Sequence, residues 1–341
     1  MADVSVIGAG SWGTALCIAL SENKHKITMW SISESEIDML STYHENRDKL
    51  PGVMLPEGMI FTTDLKKACH KKDLIVLAVP SVYTRSTAAL MSPLVEKDQV
   101  IVNVAKGIEE DSLMTLSEII EQEIPQANVA VMSGPSHAEE VGEKIPTTCV
   151  VGAKKKETAE FVQNIFMSRF FRVYISPDVL GIELGGALKN VVALAAGMAD
   201  GLGYGDNTKA ALITRGISEI SRLGVKMGCS AETFAGLTGI GDLVVTCASK
   251  HSRNRKAGML MGQGMDMESA MKEVNMVVEG VYSAKAALAL AKKYDVEVPI
   301  IEKVNDILFN GYLVKDAVGE LMNREKKEEY YGLSWQDDVK S

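Results

Sequence analysis

Hydrophobic residues follow two different patterns along this chain, and the pattern changes near Pro177. In the first half, short runs rich in β-branched residues predict buried strands at 4–7, 27–30, 74–79, 100–104 and 129–132. Longer segments with helical periodicity separate most of these runs. This alternation is typical of a parallel, doubly wound sheet, and two more candidate strands, at 148–151 and 171–175, extend it.

After Pro177 the strand-like runs stop, and long helical patterns rich in Ala, Leu, Gly and Met replace them. They predict helices at about 179–199 and 207–227, then shorter ones to about residue 321. The sequence therefore predicts an α/β domain over 1–178, an all-helical domain over 179–325, and a charged tail over 326–341.

A glycine-rich turn follows the first predicted strand. It reads Gly8-Ala9-Gly10-Ser11-Trp12-Gly13, a G-x-G-x-x-G sequence, and a helix-forming segment comes next. The first glycine permits the tight turn, the second lets a pyrophosphate approach the backbone, and the third lets helix pack on strand. This context favours a Rossmann-type, mainly parallel sheet that binds a dinucleotide, although such a turn can also serve packing alone.

The residues after the second strand do not decide between NAD and NADP. An acid at this place binds the ribose hydroxyls of NAD, and an arginine binds the extra phosphate of NADP. Here Ser31 and Ser33 could hydrogen-bond a 2′-phosphate, and Glu34 could bind a 2′-hydroxyl. No cation lies nearby in the sequence, so we expect both cofactors to be used, within about tenfold of each other.

Lys189 is the most informative single residue. It is the only charged residue between Glu183 and Asp200, on a helix too apolar to face water. Burial of an ammonium lowers its pKa toward the range in which lysine exchanges protons. The alternative is a lysine whose chain reaches the domain surface. Asn190, beside it, could orient a substrate hydroxyl.

Three further groups carry polar side chains at places where ligands bind. Lys106 follows a predicted strand at the carboxyl edge of the sheet, where open α/β folds bind ligands. A strand-to-helix turn, Ser133-Gly134-Pro135-Ser136-His137-Ala138, could hold an oxyanion, and we expect its histidine to face solvent. In the third group glycines flank Asp242, and Ser252-Arg253-Asn254 at a helix start suits a phosphate monoester or a solvated loop.

Composition and charge exclude several classes of protein. Hydrophobic residues make up 46% and charged residues 24% of the chain, as in ordinary globular proteins. The formal net charge of −9 argues against a nucleic-acid partner. The five histidines and five cysteines show no metal-ligand spacing, so we expect no metal.

The cysteines, the N-terminus and the apolar segments indicate where in the cell we expect the protein. The cysteines are odd in number and widely spread, which favours free thiols in a reducing cytoplasm. The N-terminus carries Asp3 where a signal peptide needs cations. The apolar stretch between Lys189 and Asp200 is about half the ~20 residues that a membrane helix needs, so we expect no spanning segment.

Taken together, these motifs resemble those of bacterial NAD(P)-dependent sn-glycerol-3-phosphate dehydrogenases. The resemblance covers about residues 2–325, in order and spacing, and is carried by the glycine turn, Ala105-Lys106-Gly107, Ser133-Gly134-Pro135-Ser136, Gly186-Ala187-Leu188-Lys189-Asn190, Gly239-Ile240-Gly241-Asp242-Leu243 and Ser252-Arg253-Asn254. It implies reduction of dihydroxyacetone phosphate to sn-glycerol 3-phosphate with NADH or NADPH, for phospholipid synthesis.

The resemblance also implies roles for individual residues. Lys189 is the implied general acid in reduction and base in oxidation. The implied substrate-binding residues are Lys106, Gly134, Ser136, Lys189, Asp242, Ser252, Arg253 and Asn254. The cofactor-binding residues comprise the three motif glycines and those that the resemblance implies. They are Gly8, Gly10, Ser11, Trp12, Gly13, Lys106, Ala138, Arg253, Val277 and Glu279. Many family members carry a basic residue where this chain has Ile32 and Ser33, so the resemblance leaves NADPH preference open.

Two other functions remain compatible with the sequence. One is a related two-domain dehydrogenase for another hydroxy acid or sugar phosphate, because arginine binds carboxylates and phosphates alike. The other is a nucleotide sensor without catalysis, against which Lys189 and Asp242 argue. The sequence also leaves open whether the protein forms a homodimer, since the Met-rich segment 259–276 could pack in a core or at a subunit interface.

Overall fold

The computed structural model of the protein describes residues 1–329. Its strands are β1 (Asp3–Ile7), β2 (Lys26–Trp30), β3 (Glu45–Asn46), β4 (Leu50–Met54), β5 (Ile60–Thr62), β6 (Leu74–Leu77), β7 (Val100–Asn103), β8 (Asn128–Ser133), β9 (Thr147–Ala153) and β10 (Phe171–Ser176). Eight of them form one sheet in the order β10-β9-β8-β7-β6-β1-β2-β5, and β3 and β4 form a separate hairpin.

The sheet is parallel with one exception. β9 runs antiparallel to β8, and β10 is parallel to β9, so the last two strands run opposite to the other six. The six strands that share one direction, β1, β2, β5, β6, β7 and β8, place their carboxyl ends at one edge, which is where an open α/β sheet binds its ligands. The loops after β1, β2, β6, β7 and β8 are therefore the ones that can meet a cofactor or a substrate.

Helices cover this sheet and form most of the described chain after it. They are α1 (Ser11–Glu22), α2 (Glu34–Tyr43), α3 (Leu65–Cys69), α4 (Thr84–Met91), α5 (Leu116–Glu123), α6 (Ala138–Gly142), α7 (Lys156–Phe166), α8 (Val179–Gly201), α9 (Asp206–Lys226), α10 (Ala231–Phe234), α11 (Asp242–Ala248), α12 (Arg253–Gly262), α13 (Met267–Val274), α14 (Glu279–Lys293), α15 (Pro299–Phe309) and α16 (Val314–Met322). Every helix from α8 onward follows the last strand, so the prediction of a sheet followed by a helical region is confirmed.

All seven predicted strands are present, but β3, β4 and β5 were missed. These three strands are two, five and three residues long, and β4 contains Pro51 and Gly52, which weaken any strand pattern. The reversal of β9 was also not predicted, because hydrophobic periodicity carries no information on strand direction.

α8 is the central helix of the second half. It is buried over nearly its whole length and contacts α9, α11, α12, α14 and α15. By length and composition it is the one helix among residues 1–329 that could cross a membrane, but 83% of its most apolar window is buried inside the protein. Its hydrophobicity is thus accounted for by burial within its own fold.

Separate apolar cores lie in the two halves. One core packs the sheet against helices such as α1 and α7, and the other surrounds α8. The division of the chain at residue 178 stays a prediction. Of the charged tail, Lys327 pairs with Glu297 at 2.6 Å, as does Arg324 just before the tail at 2.7 Å, and residues 330–341 lie outside the described part.

Candidate active site

Two lysines from different halves of the chain meet one buried carboxylate. Lys189 Nζ, on α8, lies 2.5 Å from Asp242 Oδ1, and Lys106 Nζ, after β7, lies 2.5 Å from Asp242 Oδ2. Lys189 is 6% exposed and Asp242 is 1% exposed, whereas the Lys106 side chain keeps 18% of its surface. The alternative that Lys189 reaches the surface is therefore wrong.

The three charges change one another's proton affinity. Burial lowers the pKa of Lys189 to about 8, with the Lys106 charge acting in the same direction and Asp242 opposing it. Burial acts to raise the pKa of Asp242, but the two lysines outweigh it and hold that pKa below its ordinary value. An ammonium that loses its proton near pH 8 is suited to proton exchange at physiological pH.

Local backbone features bring these groups together. Leu237–Gly241 forms one π-helical turn directly before Asp242, at the start of α11. A Cβ on Gly186 would lie 2.9 Å from Ser133 Oγ and 3.4 Å from Lys106 Cγ, so a larger residue on α8 would displace the Ser133 hydroxyl at the edge of the sheet.

Thr246 belongs to the cluster and was missed from the sequence. Its Oγ1 accepts a hydrogen bond from Lys189 Nζ at 2.6 Å and donates one to the Asp242 carbonyl at 2.6 Å. Threonine at position i+4 from Asp242 shares its helix face, so the spacing could have indicated it. Thr246 fixes the direction in which the ammonium points.

The turn after β8 lies beside this cluster. The Gly134 carbonyl accepts from Lys106 Nζ at 3.1 Å and from Ser136 Oγ at 3.0 Å. Ala138 begins the short α6 and is buried. The expectation that His137 faces solvent is wrong: Nε2 is buried without a partner among the described residues, and burial and the Lys189 charge lower the pKa of the ring.

The Ser-Arg-Asn sequence begins α12. Ser252 is the N-cap, and its Oγ accepts from the Arg255 backbone N–H at 3.2 Å. Asn254 donates from Nδ2 to Asn190 Oδ1 at 2.9 Å and accepts at Oδ1 from the Gly280 N–H at 2.8 Å, which ties α8, α12 and α14 together. Both asparagine side chains are thus already engaged within the protein.

Arg253 and Arg255 differ sharply. Arg255 pairs with Asp200 at 2.7 Å. Arg253 is half-buried and has no ion pair within 4 Å among residues 1–329, although Glu279 and Glu139 face it. Burial lowers the pKa of its guanidinium. A half-buried cation without an ion pair within 4 Å among the described residues favours an anionic ligand.

Glu279 joins the loop after β6 to α14. Its Oε1 accepts from the Ser81 N–H at 3.1 Å, its Oε2 accepts from Ser81 Oγ, and burial raises its pKa. Val277 lies two residues before it and is half-buried. A Cβ on Gly107 would lie 3.6 Å from Glu279 Oε2, so this group adjoins the loop that carries Lys106.

The glycine turn fits a dinucleotide pyrophosphate. Gly8 has φ of +115°, and a Cβ there would lie 2.9 Å from the Ala78 carbonyl carbon. A Cβ on Gly13 would lie 2.2 Å from Gly8 O, whereas a Cβ on Gly10 would meet nothing within 4 Å in the described structure. The first and third glycines are thus fixed by packing, and the second leaves open space before the α1 N-terminus, where Ser11 and Trp12 begin the helix.

The region after β2 holds an acid and a cation that the sequence analysis did not single out. Glu36 contacts Ser31, whereas Glu34 is exposed. A cation does lie nearby: Lys49 donates from Nζ to Glu36 Oε1. Lys49 is eighteen positions after Ser31 and comes from the β3–β4 turn, so its proximity depends on the hairpin that the sequence did not predict.

The predicted residues therefore form two neighbouring groups. The first group is linked by direct contacts and consists of Lys106, Gly134, Ser136, Lys189 and Asp242. The second group consists of Ser252, Arg253 and Asn254. It joins the first because Asn254 bonds to Asn190, which lies on α8 next to Lys189. Ser81 and Glu279 connect this group to the loop after β6, beside the glycine turn. The described part of the chain holds no cluster of three or more His, Cys, Asp or Glu side chains able to bind a metal.

Comparisons with known proteins agree with this geometry. The family models described as NAD-dependent glycerol-3-phosphate dehydrogenase N-terminus and C-terminus match residues 3–159 and 178–319. A glycerol-3-phosphate dehydrogenase [NAD(P)+] of Agathobacter rectalis is 65% identical, covering 98% of this chain and 100% of its own, and one of Fusobacterium nucleatum is 60% identical, covering 96% and 99%. The crystal structure of glycerol-3-phosphate dehydrogenase from Coxiella burnetii has a TM-score of 0.91 at 36% identity, covering 95% of this chain and 99% of its own. The chain therefore belongs to the NAD-dependent glycerol-3-phosphate dehydrogenase family.

Proposed function

We propose that this enzyme reduces dihydroxyacetone phosphate to sn-glycerol 3-phosphate, reversibly, with NADH or NADPH. The observation that carries the proposal is the buried Lys189–Asp242–Lys106 cluster at the ligand-binding edge of the sheet. The product is the backbone of glycerophospholipids. The bound nicotinamide cofactor supplies the hydride.

Lys189 is the proton donor in the proposed reduction. Reduction of a ketone builds alkoxide charge, which a protonated lysine can neutralise by transferring a proton. Asp242 and Thr246 orient the ammonium through contacts of 2.5 and 2.6 Å. Lys106, the more exposed lysine, supplies a second positive charge for the substrate oxygen. In the oxidation direction the neutral Lys189 amine accepts the proton.

Arg253 binds the substrate phosphate in this proposal. Its guanidinium has no ion-pair partner in the part of the chain that the structure describes, and a planar fork of donors suits a phosphate monoester. The other residues proposed for the substrate contribute backbone or short polar groups: Gly134, Ser136, Ser252 and Asn254. Since the Asn254 side chain bonds within the protein, it acts by holding α12 against α8.

The proposed cofactor site runs along the neighbouring edge. Gly8, Gly10 and Gly13 form the pyrophosphate turn, with Ser11 and Trp12 at the start of α1. Lys106, Ala138, Arg253, Val277 and Glu279 are proposed for the nicotinamide end. The contact of Glu279 with Ser81 supports this, because the loop after β6 carries Ser81 to that edge.

A direct assay tests the proposed function. Oxidation of NADH and of NADPH is measured with dihydroxyacetone phosphate, with uncharged dihydroxyacetone, and with 2-keto acids. Turnover restricted to the phosphorylated ketone is expected. Turnover of keto acids alone would indicate the related hydroxy-acid dehydrogenase, and cofactor binding without any turnover would indicate a nucleotide sensor.

The reaction should depend on pH in opposite ways in its two directions. Reduction needs protonated Lys189, whose pKa burial lowers to about 8, so kcat/KM for the ketone should fall as pH rises above about 8. Oxidation needs the neutral amine and should lose kcat/KM as pH falls below that value. Circular dichroism across the range controls for unfolding, because burial raises the pKa of Glu183 and Glu219 to about 7. Flat profiles in both directions between pH 7 and 9 would contradict the role of Lys189.

Cofactor preference should be weak and easy to shift. Ile32 is 79% exposed, so Ile32→Arg adds a cation after β2 without disturbing the core. We expect kcat/KM for NADPH to rise relative to NADH, with the gain shrinking as salt is raised. The unmodified enzyme should use both within about tenfold. A thousandfold preference for NADPH in the unmodified enzyme would contradict this prediction.

A cytoplasmic location and a homodimer also belong to the proposal. All five cysteines are buried and free, as suits a reducing compartment. Of the Met-rich segment 259–276, Met261 is buried, Met267, Met271 and Met276 pack against the core around α8, and Met265 is 38% exposed. Most of this segment thus serves its own fold, and sedimentation at several concentrations measures the oligomeric state.

A further inference from the structure

His137 carries a buried nitrogen that no group in the described part of the chain satisfies. Its Nε2 is covered and has no hydrogen-bond partner among residues 1–329, although the side chain as a whole is only half-buried. Buried polar atoms in folded proteins are nearly always paired, and an unpaired one costs free energy. A ligand that supplies the missing partner would recover that cost.

The His137 ring lies against the catalytic cluster. It forms a hydrogen bond with the backbone of Val245, which lies on α11, the helix that Asp242 begins. The charges of Lys189 and Asp242 are close enough to act on the proton affinity of the ring. The ring therefore lies near the place that a ketone must occupy to receive a proton from Lys189.

The ring is a neutral hydrogen-bond acceptor. Burial, followed by the Lys189 charge, lowers the pKa of His137, and the Val245 backbone, Glu139 and Asp242 oppose this shift without outweighing it. Because Nε2 has no partner, the bond with Val245 belongs to Nδ1, and it raises the pKa as a bond to an accepting carbonyl does. The single ring proton thus stays on Nδ1, and Nε2 presents a lone pair.

We propose that His137 recognises the free hydroxyl group of dihydroxyacetone phosphate, which donates a hydrogen bond to Nε2. The inference rests on the proposed function, because it takes this ketone as the substrate. It makes His137 a specificity-determining residue, beside Lys189 as proton donor and Arg253 as phosphate ligand. Since Nε2 is covered in this structure, the contact requires a side-chain shift of the kind that ligand binding commonly causes.

The chemistry of the substrate selects the hydroxyl as the partner. Above neutral pH the phosphate is mainly a dianion and presents only acceptor oxygens, and the carbonyl oxygen is an acceptor too. The free hydroxyl is then the only donor on the molecule. Asn190, which could also have oriented this hydroxyl, already accepts from Asn254 Nδ2 at 2.9 Å. The lone pair of His137 is therefore matched to the one donor that the substrate offers.

His251 packs beside His137 and provides a matched control. The two ring centres lie 5.9 Å apart, and His251 directly precedes Ser252 in the sequence. The His251 side chain is 32% exposed, and its Nδ1 lies 3.9 Å from Glu139 Oε1. A substitution at His251 thus alters the surroundings of the His137 ring and leaves Nε2 in place.

Hydroxyacetone phosphate tests the inference, because it keeps the ketone and the phosphate but has a methyl group in place of the free hydroxymethyl group. We measure kcat/KM for both phosphorylated ketones at one pH above neutrality. The unmodified enzyme should prefer dihydroxyacetone phosphate. His137→Phe should lower kcat/KM for dihydroxyacetone phosphate about tenfold, and that for hydroxyacetone phosphate less than about threefold. The intrinsic reactivities of the two ketones cancel in the ratio of these losses.

Further variants separate recognition from packing. His137→Gln keeps an acceptor oxygen and should restore part of the preference for dihydroxyacetone phosphate. His251→Phe should change kcat/KM for both ketones equally or not at all. Circular dichroism checks that each variant is folded, and His137→Leu, with the same expected result, replaces His137→Phe if the latter does not fold.

The outcomes separate the inference from the proposed function. A loss confined to dihydroxyacetone phosphate supports the role of His137. Equal losses for both ketones, no loss for either, or equal kcat/KM for the two ketones in the unmodified enzyme would overturn it and leave His137 a packing residue. If the unmodified enzyme reduces neither phosphorylated ketone, the proposed function itself is refuted, and the inference with it.

Discussion

Replacing Lys189 by alanine should lower turnover of dihydroxyacetone phosphate by about 10²- to 10⁴-fold, the usual contribution of a positioned proton donor. The variant removes the only group in the cluster that touches both Asp242 and Thr246. Cofactor affinity should stay nearly unchanged, because the glycine turn does not contact Lys189. Steady-state kinetics gives the loss in kcat, and fluorescence titration gives the affinity for NADH.

A matched variant separates catalysis from folding. Lys209→Ala removes a lysine of the same helical region that pairs with Asp200 at 2.9 Å, away from the cluster. It should fold similarly and retain its turnover. In Lys189→Ala, Asp242 keeps Lys106 as a partner, so no carboxylate is left buried without a counter-charge. Near-normal turnover in Lys189→Ala would refute its role as proton donor.

Much of the fold could be predicted because local hydrophobic patterns along the sequence indicate its main strands and helices. The main strands are short apolar runs bounded by turns, and α8 and α9 begin and end within two residues of their predicted bounds. Lys189 stood out for the same reason, since a single charge in an otherwise apolar helix must be accommodated by something outside that helix.

Local sequence patterns could not predict the partners of these residues, because tertiary packing sets them; only the family resemblance placed Lys106, Lys189 and Asp242 in one site. Asp242 lies 53 positions after Lys189 and 136 after Lys106, and no sequence pattern joins the three. The same holds for Lys49, whose hairpin has too few residues and too much turn-forming sequence to register as strands. Thr246 is different, since its i+4 spacing from Asp242 was available in the sequence.

The loss of Arg253 should be the other large effect, and it should depend on the substrate. Truncating a desolvated charged contact costs about 2–5 kcal/mol, so Arg253→Ala should lower kcat/KM for dihydroxyacetone phosphate roughly thirtyfold to several-thousandfold. Dihydroxyacetone has no phosphate, and its already slow reduction, measured at high concentration, should change much less. The ratio of the two losses reports the contribution of the phosphate contact alone.

Two features of the site decide how this experiment is controlled. Arg255→Ala removes the same side chain two positions later on α12, where it pairs with Asp200 and not with a ligand, so it measures the cost of disturbing the helix. Glu279 faces Arg253, and its pKa, already raised by burial, should rise further once the positive charge is gone. NADH affinity is therefore measured alongside, because a change at Glu279 would act on both substrates equally. Equal losses for the phosphorylated and the neutral ketone would show that Arg253 serves the cofactor or the fold and does not bind the phosphate.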